Sequence, residues 1–559
     1  MLRPGELKRV SIWAAVLVAT ILLPYPVAAV FSGRDWHFMG HLHAVDEGNV
    51  YLAWSRQAAD GAWRLKNMYT ATPDEGLFFN AFFVAVGKAA AVLRVEPVVA
   101  YHIARPICGW ACLVSVYLLA ALLFPDALTR WAAFLLAALS SGVGWLVHLI
   151  LTTTELDSLD FSEGLIQPEA ITFLCVFVNP LFAASVALMC LVFFAFLMGV
   201  RECRYRWIVA AGLLHLVLGN VHTYDIFVVN GALGLYLVLL VASGVVPLRH
   251  AVCSYGIFIA LSAASPIYQM YVVTADPLYA AKATTKTVSF RVSDHALTYG
   301  FLLVLALVGA GRVIRWPDSR TVFLLAWLVV GAVMPYAPAE HFPFQRKMWE
   351  GYHVVLSLLA AIACTRVLLP WVSRRSPPEP SPPCSRHGTG IVAAALVLTV
   401  PSNLLFVNLT MRDARDNNER LMENLMPPIY LHEDELRALH WLRDNTARED
   451  VVVSLPLIGS HIPAVSGNRV YIGHWAETIG FERTVPLLRR LYAPDASPGW
   501  CERMLREAGA RYVYYGHYAW LLGGGGEPAF ARSGNLEPVF ASGEVTIYRV
   551  TSARRDEGR

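Results

Sequence analysis

The chain has 559 residues, which is long for a single domain, and its composition is that of a membrane protein. Charged residues make up 16%, against about 25% in soluble proteins, and hydrophobic residues make up 56%. The net charge of +3 is too small for the concentrated basic face that nucleic-acid binding requires, so no nucleic-acid partner is expected. The nine cysteines show no metal or redox spacing. Lipid is the solvent that this composition fits.

Eleven apolar stretches are long enough to cross a membrane as helices. A basic N-terminus precedes the first stretch, whose apolar run of about 20 residues exceeds the 7–15 residues of a signal-peptide core. We therefore predict an uncleaved signal anchor, with a cleaved signal peptide as the alternative. The predicted spans are 11–31, 105–124, 130–151, 170–199, 206–222, 226–246, 251–272, 297–313, 321–338, 350–370 and 390–409.

The distribution of arginines predicts the orientation of these spans. With a cytoplasmic N-terminus, most arginines fall in or beside the inner loops, where positive charge is enriched. The short outer loops, 152–169 and 339–349, then hold only Arg346 and Lys347 as cations. An odd number of spans leaves residues 410–559 outside. The chain is thus predicted to be a multi-pass protein of the cell inner or plasma membrane, in contact with membrane lipids.

One further apolar segment, residues 77–93, is interpreted differently. If it crossed the membrane, every later loop would change sides and the arginines would lie outside. Lys88 stands midway along it, which favours a helix lying in the membrane interface. Residues 32–104 are therefore predicted to form a long first outer loop within a transmembrane domain of residues 1–409. The Pro-rich stretch 376–385 reads as a cytoplasmic linker before the last span.

The C-terminal segment, residues 410–559, has the pattern of a small α/β domain. Three helices are expected, at 433–445, 483–492 and 498–508. The glycines at 523–526 form a flexible loop, with a dinucleotide motif as the less favoured interpretation. Strands are expected where Val, Ile and Tyr are enriched, at 451–455, 469–472, 512–515 and 545–550. The predicted fold class is therefore mainly α, a polytopic helical membrane protein with a C-terminal extracytoplasmic α/β domain.

Carboxylates are concentrated in two outer loops that emerge on the same face. Two acidic loops over one membrane surface can form a metal site or supply a general base. The alternative is that these residues are ordinary solvated loop residues, or that Asp46 only caps a helix predicted at 50–59. Histidines 37, 41 and 43 add a less favoured zinc interpretation. The carboxylate candidates are Asp35, Asp46 and Glu47 in the first loop, and Asp157, Asp160 and Glu169 in the second.

Polar residues also interrupt the apolar runs. His222, Tyr224 and Asp225 lie between two predicted spans, and polar groups at this depth usually face a cavity or a partner. The alternative is that Asp225 simply pairs with His222 in a turn at a helix end. Arg346 and Lys347 stand where a lipid phosphate would lie, and both residue types bind phosphate. The alternative for these two cations is contact with headgroups by snorkelling.

The order of these features resembles the GT-C superfamily of polyprenyl-phosphate-dependent glycosyltransferases, in an uncharacterised bacterial branch. The first loop of that superfamily is similar to residues 46–52 (DEGNVYL) followed by residues 58–63 (AADGAW). The outer domains of that branch resemble 438–443 (ALHWLR) and 512–516 (YVYYG) here. The WWD-type motif of the oligosaccharyltransferases is absent.

The resemblance implies an enzyme that takes a sugar from a polyprenyl-phosphate donor. Asp46, with Glu47 and Asp35 beside it, would accept a proton from a hydroxyl of a glycan, lipid or protein acceptor. Arg346 and Lys347 would bind the donor phosphate as it leaves, supported by Asp157, Asp160, Glu169, His222, Tyr224 and Asp225. Whether a divalent cation, Mg²⁺ or Mn²⁺, also takes part is left open.

Two other classes of function fit a polytopic scaffold. A transporter or flippase for a lipid or polar solute is one, but such proteins often show internal repeats, and none is visible here. A non-catalytic membrane assembly protein is the other, because a scaffold does not fix function.

Overall fold

The computed structural model describes residues 4–154, 167–373, 386–522, 528–532 and 534–551. Several sequence predictions lie outside these residues. They are the linker at 376–385, the glycines at 523–526, and the second-loop residues Asp157 and Asp160.

Helices dominate the described part of the chain. In chain order they are α1 (Glu6–Leu22), α2 (Pro24–Val30), α3 (Val45–Ala59), α4 (Ala81–Leu93), α5 (Pro97–Leu123), α6 (Ala127–Leu139), α7 (Gly144–Thr154), α8 (Thr172–Val178), α9 (Pro180–Glu202), α10 (Tyr205–Val221), α11 (Asp225–Ala242), α12 (Leu248–Ser262), α13 (Ala264–Ala275), α14 (Pro277–Ala283), α15 (Val292–Arg315), α16 (Val322–Val333), α17 (Tyr352–Ile362), α18 (Leu369–Ser373), α19 (Arg386–Thr399), α20 (Pro401–Arg415), α21 (Glu433–Asn445), α22 (Pro456–Gly459), α23 (His461–Val465), α24 (Phe481–Leu491), α25 (Pro498–Glu507) and α26 (His517–Leu522).

Strands are short and confined to two sheets. They are β1 (Trp36–Phe38), β2 (Tyr430–His432), β3 (Val451–Val453), β4 (Arg469–Val470), β5 (Ala510–Tyr515), β6 (Leu536–Ser542) and β7 (Val545–Val550). Single turns of 3₁₀-helix include Pro168–Ala170 and Gln345–Trp349, and a π-helical turn, Ala363–Leu368, joins α17 to α18.

The helical membrane architecture predicted from the sequence is confirmed. Among the described residues, six helices are long and apolar enough to cross a membrane, or nine if each of three bent helix pairs is one span. The two other predicted spans fall on shorter apolar helices, α10 and Val322–Tyr336. Helix α4, which the arginine distribution excluded from the set of spans, is also a shorter apolar helix.

A break in the fourth predicted span, 170–199, lies between α8 and α9. Asn179 takes an extended backbone conformation and its side-chain oxygen accepts a hydrogen bond from the backbone N–H of Leu181 at 3.0 Å. Pro180 then begins α9 at the first helical position, where its missing N–H costs nothing. The Asn-Pro pair thus ends one helix and starts the next.

By their internal contacts the residues form two compact units. The helical unit comprises Met1–Leu23, Ile103–Tyr271 and Thr284–Leu409. Within it α9 packs on α10, and α15 and α6 pack on α17. Gly309 of α15 permits the approach to α17, because a Cβ there would overlap the backbone carbonyl of Leu359.

The mixed unit comprises Pro24–His102, Val272–Ala283 and Thr410–Arg559. Its five-stranded sheet has the order β4-β3-β5-β7-β6, with β3 parallel to β4 and β5, and β7 antiparallel to β5 and β6. The predicted helix at 433–445 and strands overlapping all four predicted segments are present, so the α/β character of the tail is confirmed. Strand β6 and the antiparallel pair β1–β2 were not predicted.

Candidate functional site

Asp46 lies in the first turn of α3 in the mixed unit. The helix begins at Val45, after Ala44 in the left-handed region (φ 48°), so Asp46 is inside the helix and not its N-cap. The residue is only 7% exposed, and its Oδ2 lies 3.5 Å from His474 Nε2. Burial raises the pKa of Asp46, a protonated His474 would lower it, and Glu47 raises it further. The net result is a buried carboxyl with its pKa above the usual range.

The ring of His474 is oriented by backbone groups on its far side. The N–H groups of Ala476 and Glu477 approach His474 Nδ1 at 3.1 and 3.3 Å. Because Nδ1 accepts these hydrogen bonds, the proton of the neutral ring is on Nε2, the nitrogen that faces Asp46. The neutral ring therefore presents its Nε2–H on the side of Asp46.

Helix α3 is fixed to the C-terminal part of the mixed unit by buried polar contacts. Asn49 Nδ2 donates to Ser460 Oγ at 3.1 Å and lies 3.1 Å from His461 Nδ1. Tyr69 donates its hydroxyl hydrogen to the carbonyl of Ser460 at 3.0 Å, and its ring stands edge-on to His474. Each of these groups is buried, so a network of buried hydrogen bonds holds α3, and with it Asp46, in position.

A second carboxylate, that of Glu477, acts on the hydroxyl of Tyr69. Neither Glu477 nor its partner Lys282 was among the predicted site residues. Burial, then Glu477 and Asp46, raise the pKa of Tyr69, so both carboxylates act on the same hydroxyl. Glu477 is 6% exposed and pairs with Lys282. The Lys282 ammonium also lies 5.2 Å from the ring of Trp54 on α3. The signal that could have identified Lys282 is that it is the single charged residue in the segment 277–283.

The other first-loop candidates lie in different surroundings. Asp35 is exposed and its backbone carbonyl accepts a hydrogen bond from the N–H of Glu433 at 2.9 Å. Glu47 is half-buried, with the Tyr51 hydroxyl 3.5 Å from its Oε2. Histidines 37, 41 and 43 do not come together as a metal-binding group among the described residues. Of the three first-loop carboxylates, Asp46 is the most deeply buried.

In the helical unit, Glu169 forms a buried ion pair with Lys347. The Lys347 ammonium lies 2.6 Å from Glu169 Oε1, and the two side chains are 15% and 1% exposed. Gln167 also donates to this carboxylate. Burial alone would raise the pKa of Glu169, but Lys347, Arg346 and these hydrogen bonds lower it to about 2. Glu169 and Lys347 were both predicted site residues, but their pairing was not predicted.

His222 lies between two carboxylates in the same unit. Its Nδ1 is 2.9 Å from Asp225 Oδ1 and 2.9 Å from Glu350 Oε2, and all three side chains are buried. The pairing of Asp225 with His222, which the sequence offered as the alternative to a cavity or partner role, is present, and Glu350 was not among the candidates. A glutamate at the edge of the apolar run 350–370 was the signal for it. The ring of Tyr224 packs against that of Phe344 at an angle of 40°, with ring centres 4.7 Å apart.

Solved structures of similar fold are GT-C glycosyltransferases, as the sequence resemblance predicted. The oligosaccharyltransferase AglB from Archaeoglobus fulgidus, in complex with an inhibitory peptide and a dolichol-phosphate, aligns at a TM-score of 0.56 and 11% identity, over 91% of this chain and 69% of AglB. ArnT from Cupriavidus metallidurans in the apo state aligns at 0.52 and 13%, over 96% and 97%. The arabinofuranosyltransferase AftD from Mycobacteria aligns at 0.52 and 14%, over 97% of this chain and 42% of AftD. At these identities the likeness establishes the fold.

A family model matches residues 220–552, more than half of the chain. Its description is a family of unknown function, DUF6541, and the chain belongs to that family. None of the curated proteins matches the sequence.

Proposed function

We propose that the protein is a membrane glycosyltransferase that moves a sugar from a polyprenyl-phosphate donor to an acceptor on the outer face of the membrane. The observation that carries the proposal is Asp46, a buried carboxyl with a raised pKa beside the Nε2–H of His474, in a chain with the GT-C fold. A carboxylate whose pKa lies closer to neutrality is a better general base than an exposed one. The dolichol-phosphate held by the similar AglB supports a lipid-phosphate donor.

In the proposed reaction Asp46 accepts the proton of an acceptor hydroxyl. The hydroxyl oxygen forms a bond to the anomeric carbon of the sugar, and the bond from that carbon to the lipid phosphate breaks. The electron pair of the broken bond stays on the phosphate, whose negative charge grows. Charge on a leaving group is stabilised by preorganised cations, because they need no reorganisation during the step.

Arg346 is the residue that we assign to this phosphate. Its backbone N–H donates to the carbonyl of Thr287 at 3.0 Å, which fixes the start of the turn Gln345–Trp349. A guanidinium can hold phosphate through two parallel hydrogen bonds. Lys347 contributes positive charge from a fixed position, since its ammonium is bound to Glu169. The acceptor in this proposal is a glycan, a lipid or a protein.

The proposed orientation places the N-terminus in the cytoplasm and residues 410–559 outside it, on the basis of the arginine distribution. A reporter that is active only outside the cytoplasm should be active when fused after Thr410 and silent when fused at Pro382. The opposite pattern would contradict both the orientation and a reaction on the outer face.

The transferase proposal is tested with the full chain purified in detergent. Synthetic polyprenyl-phosphate sugars are incubated with extracts of the native membrane as the acceptor source. Release of polyprenyl phosphate is measured by mass spectrometry, with boiled protein as the control. We expect release that depends on both the protein and the acceptor extract. If the protein reconstituted into sealed vesicles instead moved donor sugars across the membrane without any release, it would be a transporter.

A further inference from the structure

We propose that His222, Asp225 and Glu350 bind one divalent transition-metal ion, Zn²⁺ or Mn²⁺. The three residues come from separate places in the helical unit: the turn after α10, the first residue of α11, and the residue two before α17. The ligand atoms all lie within 4.8 Å of one another, and no side chain is more than 6% exposed. This is a mixed set of one imidazole and two carboxylates.

With both carboxylates ionised, the charges in this group do not balance without a further cation. Even a protonated His222 would neutralise only one of the two carboxylates, and burying an unpaired charge is costly. The nearby ammonium of Lys347 is already bound to Glu169. A divalent ion with a neutral imidazole would cancel both carboxylate charges.

The group also has fewer hydrogen-bond donors than acceptors. His222 Nδ1 carries at most one hydrogen, yet Asp225 and Glu350 lie at the same 2.9 Å from it. Within the described part of the chain, neither oxygen of the buried Glu350 carboxylate has a hydrogen-bond partner of good geometry. Buried polar atoms in proteins are almost always satisfied, so an unsatisfied carboxylate aimed at a histidine and an aspartate indicates a missing ligand.

The geometry and the kinds of atom fit a transition metal. Tetrahedral ligands about 2.0–2.2 Å from an ion lie about 3.3–3.6 Å apart, so the 2.9 Å separations need only small side-chain rotations. The imidazole ligand favours Zn²⁺, and the two carboxylates also suit Mn²⁺. Ser185 Oγ donates to Asp225 Oδ2, which leaves Oδ1 facing the histidine, and the edge of the His222 ring is held against Phe182. Outer contacts of this kind orient metal ligands.

Three protein ligands leave an open coordination position on a tetrahedral ion. That position would take a phosphate oxygen of the donor, an extension that rests on the proposed function. The ring of Phe182 contacts both His222 and the Lys347 ammonium, so the ion and the Glu169–Lys347 pair would be neighbours. The metal binding itself does not depend on the reaction.

The test measures metal binding by the full chain in detergent, with neither donor nor acceptor present. The protein is stripped with a chelator and titrated with Zn²⁺ or Mn²⁺ against a chromophoric competitor. We expect one ion per chain. Glu350→Gln and His222→Gln should each weaken binding by more than about 100-fold, and Ser185→Ala by about 10-fold, as losses of outer contacts do. Glu435→Gln, which alters a buried glutamate in the mixed unit, is the matched control and should bind like the wild type.

Thermal unfolding separates loss of the site from loss of the fold. Without metal, Glu350→Gln should unfold at or above the wild-type temperature, because it removes a buried charge. With metal, only the wild type and Glu435→Gln should gain stability. The proposal is overturned if the stripped wild type binds neither ion, or if Glu350→Gln binds as tightly as the wild type. Since no substrate is present, either result leaves the transferase proposal standing, and a failed transfer assay leaves this one standing.

Discussion

Two buried carboxylates, one in each compact unit, lie in opposite electrostatic surroundings. Asp46 in the mixed unit has a histidine for its neighbour, and burial raises its pKa. Glu169 in the helical unit is equally enclosed, yet Lys347 and Arg346 overcome the effect of burial and hold its pKa at about 2. Both residues are buried, so the neighbouring cations account for the difference between their pKa values.

This contrast assigns different chemistry to the two residues. A carboxyl whose charged form is disfavoured takes up a proton readily, whereas one held ionised by a lysine serves to position that lysine. Asp46 therefore suits the role of base, and Glu169 suits the role of anchor for a cation. Each prediction below changes one side of the contrast.

The largest effect is expected for Asp46→Asn. Asparagine keeps the size and polarity of the side chain but cannot accept the proton. Loss of a general base typically lowers the rate about 10²–10⁴-fold, and we expect the same loss of transfer here. The fold should be retained, because burial already disfavours the charged carboxylate. The measurement is the rate of polyprenyl-phosphate release by the purified variant, alongside its thermal unfolding.

Asp60→Asn is the matched control for this variant. Asp60 ends the same helix, is exposed, and lies 3.5 Å from Arg448 at the surface. It should keep the wild-type rate. Near-normal transfer by Asp46→Asn would move the role of base to Glu47 or Asp35, or remove the enzyme interpretation altogether.

The next largest effect concerns stability and its dependence on pH. Lowering the pKa of Glu169 from 4.5 to about 2 corresponds to about 3 kcal/mol of folding free energy. Because the folded pKa lies below the unfolded one, this contribution is complete above about pH 4.5 and is lost as the pH falls towards 2. Glu169→Gln should therefore be clearly less stable than the wild type at pH 7, and the difference should shrink below pH 4.5.

Thermal unfolding in detergent between pH 7 and pH 3 measures this difference. Glu75→Gln removes an exposed carboxylate and should match the wild type throughout. The double variant Glu169→Gln/Lys347→Met should recover part of the loss, because it leaves no buried ammonium unpaired. A Glu169→Gln protein as stable as the wild type at pH 7 would show that the ion pair adds nothing to the fold.

Arg346→Ala should weaken donor binding and lower turnover, each by about 10–100-fold, the range for losing hydrogen bonds to a charged group. Arg346→Lys should restore the charge but not the two parallel hydrogen bonds, so its recovery should be partial. Both constants are measured with a synthetic donor. Arg315→Ala, at an exposed arginine that stacks on Trp316, is the control. Unchanged donor affinity in Arg346→Ala would make this residue an ordinary interfacial anchor.

Much of the fold was predictable because a long apolar segment in a membrane must form a helix. Only a helix makes all of its backbone hydrogen bonds within one segment. The break at Asn179 and Pro180 was predictable for a similar reason, since the chemistry is local. The pairing of Glu169 with Lys347 was not, because the residues are 178 positions apart and no periodicity relates them. Strands β1 and β2, three residues each, were likewise too short to leave a pattern.

The smallest effect is expected on the pH dependence of transfer. Because burial raises the pKa of Asp46, kcat/KM should fall on the acid side at a higher pH than an ordinary aspartate would give. His474, whose Nε2 lies 3.5 Å from the carboxyl, opposes that rise. In His474→Ala the acid limb should therefore move to higher pH, while the plateau at high pH changes less than about 10-fold. In His474→Gln, which keeps a hydrogen-bond donor but no charge, we expect a smaller shift than in His474→Ala.

The exposed His517, paired with Glu544 at the surface, provides the control, and His517→Ala should leave the limb in place. If the limb of His474→Ala coincided with that of the wild type, the group titrating in kcat/KM would not be the Asp46 carboxyl beside this histidine, and the base would have to be sought at another carboxylate.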